Sequence, residues 1–115
     1  MSRRNHSRKA ARHHAHAPIF AALGDETRLL LVARLSQGKA ISISQLTEGS
    51  RLTRQAITKH LRVLQDAGIV RGYRTGRERL FKFDPQPLQQ IKDHLDLVSR
   101  QWDQALSRLK SLVEE

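Results

Sequence analysis

Arg54, Gln55, Thr58, Lys59 and Arg62 fall on one side of a helix when residues are placed at about 100° per step. The Arg fork and the Gln amide can each bond a base edge through two contacts. Lys can hold a phosphate, and the Thr methyl is an apolar contact. Ile57, Leu61 and Leu64 fall on the opposite side as a core stripe. Thr53 can cap the start of this helix and Gly68 can end it. His60 sits among the five in sequence, but the wheel turns it toward the core side with Ala56 and Ala67. We read it as a support that bonds backbone or phosphate, not a base reader. A solvated helix face has the same composition, so the flanks decide the meaning.

Upstream, Ile41 and Ile43 alternate with Ser42 and Ser44, which allows a very short strand. Ser44 is expected to cap a short helix over Gln45 to Gly49, with Leu46 inward. Its place at the start of that helix puts Ser44 with the residues expected to face DNA. A short helix, a brief connector and a longer helix with a polar face form a helix-turn-helix pattern. Downstream the period changes. Ile69–Arg74 and Arg79–Phe83 read as strands around a turn at Thr75–Glu78, with Phe81 and Phe83 on one face. Arg74, Arg77 and Arg79 surround the tip, where they could reach phosphates or a minor groove. An ordinary hairpin made soluble by arginine is the alternative. The adjoining helix-turn-helix favours a DNA-binding wing.

These elements need a platform. Pro18 can start a helix, and Ile19, Phe20 and Leu23 make an apolar patch on it. Asp25 is a good cap for the next helix, with Glu26 in its first turn. That helix runs through Leu29, Leu30 and Leu31 toward Gly38. It is apolar over most of its circumference, so it is expected to be the central buried helix. After Asp84-Pro85-Gln86-Pro87 a heptad pattern begins. Leu88, Leu95, Trp102 and Leu109 share one repeat position, and Ile91, Val98, Ala105 and Leu112 share the other. A helix of roughly 28 residues spans ~40 Å at 1.5 Å per residue, more than so small a domain can cover. Part of it is therefore expected to pack on a second chain. The expected dimer surface is Ile19, Phe20, Leu88, Ile91, Leu95, Val98, Trp102 and Leu109.

The totals agree with this reading. In 115 residues, 21 Lys and Arg stand against 11 Asp and Glu, a net +10 that points to a polyanionic partner. Residues 1–16 hold five of those basic residues, four His and no acid, so the rest of the chain is basic too. We read 1–16 as a basic, flexible arm and 17–115 as one DNA-binding and dimerisation domain. The arm's His13-His14-x-His16 tract lacks a fixed set of metal partners. With no cysteine there is no disulfide, thiolate metal site or cysteine nucleophile. No apolar run approaches a membrane span, and the basic N-terminus lacks the apolar stretch of a secretory signal. A cytoplasmic protein is expected, without cofactor or metal. No phosphate-cradling loop, paired carboxylates or nucleophile constellation suggests an enzyme.

Several motifs then fall in one order. Ala22-Leu23-Gly24-Asp25-Glu26-Thr27-Arg28-Leu29 resembles the second-helix signature of the arsenical-resistance-repressor (ArsR) family of winged helix-turn-helix regulators. Leu52 to Leu61 with Ala67-Gly68-Ile69-Val70 resembles its recognition helix and exit, and Gly76-Arg77-Glu78-Arg79 with Phe81 its wing. Trp102-Asp103-x-x-Leu106-x-x-Leu109 is similar to a metal-free branch. The resemblance covers about residues 18 to 112. It implies a mainly α fold with a small β-hairpin and a long C-terminal dimerisation helix. It also implies a homodimer that binds double-stranded DNA at a partly palindromic operator and represses transcription. Arg54, Gln55, Thr58 and Lys59 would face the major groove. The thiolates of the arsenic, cadmium and lead sensors are missing. Asp93, His94 and Asp96 bring only one His to the last helix, fewer nitrogen donors than a transition-metal site wants. A non-specific DNA-compacting protein on the same scaffold is the alternative.

Overall fold

In the computed structural model, residues 16–114 are described. Expectations for the arm before His16 lie outside them. Residues 16–23 form helix α1, so His16 is already helical and Pro18 does not begin the helix. Helix α2 spans Glu26–Leu35, with the Asp25 carboxylate accepting from the Arg28 backbone N–H at 3.0 Å. It buries Leu31, Val32 and Leu35 but leaves Leu29 and Leu30 on the surface, Leu30 at 61 % exposure. The expectation of a helix buried nearly all round is thus corrected. α2 packs on α4 and β3 and leaves the rest of its circumference open.

Strand β1 is only Ile41–Ser42, and helix α3 is Ile43–Thr47. Ser42, not Ser44, caps α3. Its hydroxyl accepts from the Gln45 N–H at 3.2 Å, and the Gln45 side chain accepts from the Ser42 N–H at 3.1 Å. This reciprocal capping box satisfies two donors at once. Pairing with β3 selects the earlier serine. Ile41 lies opposite Phe81 and Ser42 opposite Leu80, which holds both residues extended. Arg34 in α2 then donates to the Leu46 and Gln45 carbonyls, tying α2 to α3.

Helix α4 spans Arg54–Asp66. The Thr53 hydroxyl accepts from the Ala56 N–H at 3.1 Å, as its position suggests. At the other end the Gly68 N–H bonds the Gln65 carbonyl and the Ile69 N–H bonds the Leu64 carbonyl. With Gly68 at φ +77°, this is a Schellman ending, which satisfies the last carbonyls and turns the chain sharply. Ile57, Leu61 and Leu64 are fully buried.

The chain then enters strand β2, Val70–Thr75, and returns as β3, Glu78–Phe83. Only Gly76 and Arg77 join them, a shorter turn than expected. Gly76 at φ +63° and Arg77 at negative φ suit a type II′ hairpin. The sheet has three antiparallel strands in the order β1-β3-β2. Phe81, on the central strand, which packs on α2 and α3, is buried in the core with Ile43, Leu46 and Ile69. Arg71 and Asp84 form an ion pair at 3.0 Å, and the Asp84 N–H bonds the Ile69 carbonyl, closing the base of the hairpin.

Helix α5, Gln86–Glu114, has 29 residues. The Asp84 carboxylate accepts from the Gln86 N–H at its start. Ile91 is buried and Leu88 packs against the core. Beyond them the helix leaves the domain, and the molecule reaches 66 Å in its long dimension.

Gly72 is needed where the hairpin passes α4. A Cβ there would lie 2.6 Å from the Gln65 side-chain nitrogen and 3.1 Å from the Phe81 ring. The Gln65 side chain can swing away, but the buried ring cannot. Gly72→Ala is expected to destabilise the domain by about 1–3 kcal/mol in urea melts, the cost of overpacking a filled core.

Candidate nucleic-acid interface

The burial of Ile57, Leu61 and Leu64 determines which face of α4 meets solvent. Arg54, Gln55, Lys59 and Arg62 are exposed and Thr58 is half-buried. All five line a single open cleft of about 610 Å³. None of them is ion-paired among the described residues. Their charges are therefore free to meet an outside anion. Thr58 is more constrained than its neighbours. Its hydroxyl donates to the Arg54 carbonyl at 2.7 Å, which leaves the oxygen as an acceptor and the methyl as a contact.

Arg74, Arg77 and Arg79 are exposed on the hairpin. Arg74 and Arg79 face each other directly across the ladder. Like charges in that position are destabilising. The Arg79 guanidinium lies 5.5 Å from the centre of the Phe81 ring, whose π face offsets part of that cost. Ser44 is exposed on the second residue of α3, away from the capping position expected for it.

His60 is half-buried, its side chain 23 % exposed. Its Nδ1 lies 3.3 Å from Arg28 Nη1 and 3.7 Å from an Asp25 carboxylate oxygen. The wheel gave its side of the helix, but nothing in the sequence marked Arg28, 32 positions away, as its partner.

The expected dimer residues divide. Ile19 and Ile91 are buried in the protomer's own core. Leu88 packs at the core edge, and Val98 is half-buried. Phe20, Leu95, Trp102 and Leu109 are open, Trp102 at 69 %. Leu106, Leu112 and Val113 extend the open stripe beyond that set. On the same helix Gln89 donates to Asp93 at 3.2 Å, and the His94 ring lies 4.8 Å from that of His16. Among the described residues no three of His, Asp and Glu gather in a way that could hold a metal ion. No described helix is long and apolar enough to cross a membrane.

A capped short helix, a turn, an exposed cationic helix and a basic hairpin together define a winged helix-turn-helix DNA-binding protein. Comparison with known proteins narrows the class. A family model described as a helix-turn-helix domain matches residues 23–73. An uncharacterized HTH-type transcriptional regulator of Bacillus subtilis, YuzN, is 42% identical over 79 residues, covering 64% of this chain and 86% of the relative. The HTH-type transcriptional regulator Rv2034 of Mycobacterium tuberculosis is 32% identical over 95 residues, 83% of this chain and 85% of the relative. An ArsR-like transcriptional regulator from Rhodococcus sp. RHA1 superposes with a TM-score of 0.80 at 32% identity, covering 91% of this chain and 95% of that one. The chain belongs to the ArsR family of transcriptional regulators and is not an enzyme.

The wing's crowded charge yields a test. Arg74→Thr removes one member of the cross-strand pair. It is expected to leave thermal stability unchanged or raise it, by about 0.2–1 kcal/mol. If the wing binds phosphate, the same change weakens DNA binding, so the two measurements should move in opposite directions.

Proposed function

We propose that the chain is a homodimeric repressor that reads an inverted-repeat operator. Arg54, Gln55, Thr58, Lys59 and Arg62 lie in the major groove of each half-site, and Arg74, Arg77 and Arg79 lie on the flanking backbone. Ser44 sits at the start of α3 as a further phosphate contact. The single observation that carries the reading is the convergence of Arg54, Gln55, Thr58, Lys59 and Arg62 on one cleft along α4, none of them ion-paired among the described residues. Half-sites one helical turn apart, about 34 Å, need two copies of that face. The open stripe of Leu95, Trp102, Leu106 and Leu109 on α5 supports the second copy. An exposed apolar stripe of this length is a feature of chains that associate. Repression follows from occupancy, since a dimer seated over a promoter excludes the polymerase.

Arg54→Ala and Gln55→Ala are each expected to cost ~1–3 kcal/mol on the selected operator and to relax base preference at the contacted position. Arg77→Ala should weaken all sequences alike and reduce the salt slope by about one. Competition between the operator and a scrambled duplex at physiological salt checks both. Equal affinity for the two duplexes would replace the repressor with a non-specific compacting protein.

Sedimentation equilibrium at micromolar concentration should give twice the chain mass of 13.2 kDa. Trp102→Glu should return it to the monomer and lower operator affinity without changing the fold of the DNA-binding domain. A wild-type monomer would remove the two-half-site geometry.

A further inference from the structure

We propose that His60 is a positioning residue: as a neutral ring accepting from Arg28 through Nδ1, it sets the tilt of α4 against the end of α1. The inference rests on α4 being the DNA-reading helix. A guanidinium carries only donors. At 3.3 Å from Arg28 Nη1, His60 Nδ1 must therefore accept, which places the ring's proton on Nε2. The same guanidinium is used on its other edges. Its Nε donates to the Ala22 carbonyl at 2.6 Å and its Nη2 to the Ala21 carbonyl at 3.3 Å. Those are carbonyls of the last turn of α1, the negative end of that helix.

One planar cation thus joins three elements. It belongs to α2, closes the end of α1 and holds α4 from behind the reading face. Asp25 completes the group. Its carboxylate caps α2 through the Arg28 N–H, and that bond holds the carboxyl below its ordinary range, so it is ionised at neutral pH. It lies 3.7 Å from His60 Nδ1, too far for a hydrogen bond to the neutral ring. α1 also carries Phe20, part of the open apolar surface. A tie from α1 to α4 therefore relates the association surface to the reading face. In a dimer it fixes how the two recognition helices are aimed at successive turns of the groove.

The charged groups facing the ring are Arg28 of α2 and Asp25 at its N-cap, and Lys59 precedes it on α4.

The test exploits the shapes of two amides. Asn at position 60 puts an oxygen near the place of Nδ1, and Gln reaches instead toward the place of Nε2. DNA is first recovered from a random pool by the wild-type protein, and affinities are measured on that sequence. His60→Asn is expected to bind within about twofold of wild type and His60→Gln about tenfold more weakly, since only Asn restores the acceptor facing Arg28. The proposal is overturned if His60→Gln binds like wild type, or if His60→Asn is as weak as His60→Gln. Recovery of DNA without an inverted repeat would sink the two-half-site reading instead. The ranking of variants on that DNA would still decide the role of His60.

Discussion

One helix has to satisfy two solvents at once. α4 drives Ile57, Leu61 and Leu64 into the core and holds five polar side chains outside it, within a span of 13 residues. Burial of three large aliphatic side chains contributes on the order of 1.5–3 kcal/mol each, far more than any single surface contact on the other face. The core therefore fixes the rotation of the helix about its axis, and the five polar residues take the face that remains. Their own identities are then free to follow the ligand. Rotation is only one degree of freedom, however. Apolar side chains tolerate sliding and tilting of a helix better than directional bonds do, and α4 is held against tilt by polar groups at its ends and back. Thr53 and Gly68 define its two ends, and the Arg28–His60 contact holds its rear.

Charge is distributed with a similar division of labour. Cations with a structural task are paired or bonded: Arg28 to carbonyls and His60, Arg34 to carbonyls of α3, Arg71 to Asp84. The cations of α4 and the wing tip have no such partner among the described residues. The facing pair Arg74 and Arg79 goes further and accepts repulsion across the ladder. A sheet optimised for stability would place opposite charges or β-branched residues there. If the wing contacts DNA as proposed, phosphates entering beside the pair would relieve that repulsion.

The sequence periodicities carried most of this architecture. α4, its caps, the hairpin and α5 were legible because each is a local pattern ended by a local signal. The errors are equally informative. Ser42 and Ser44 are both plausible caps two residues apart, and strand pairing with Leu80 and Phe81, distant in sequence, decides between them. Leu29 and Leu30 look buried on a helical wheel, yet the neighbours of α2 cover only part of it. Ile19 and Ile91 look like the rest of the apolar stripe, but they happen to lie where α1 and α5 cross the core. The Arg28–His60 contact was invisible for the same reason. Side-chain bonds between distant segments leave no period.

Helix α5 raises the remaining energetic question. Its last turns leave Trp102, Leu106, Leu109, Leu112 and Val113 exposed among the described residues. An isolated helix gains little from propensity alone and depends on packing of its apolar face. A lone protomer therefore carries a segment whose order and solubility both improve with a partner. A protomer also presents only one reading face. If that partner is a second copy, the same association that orders α5 supplies the second reading face, and the second half-site is engaged at a high effective concentration. Coupling of this kind works through mass action: raising protein concentration favours the dimer, and the dimer favours paired half-sites over single ones. Under the proposed function, discrimination between an operator and the many single half-sites of a genome would then depend on α5 as much as on α4.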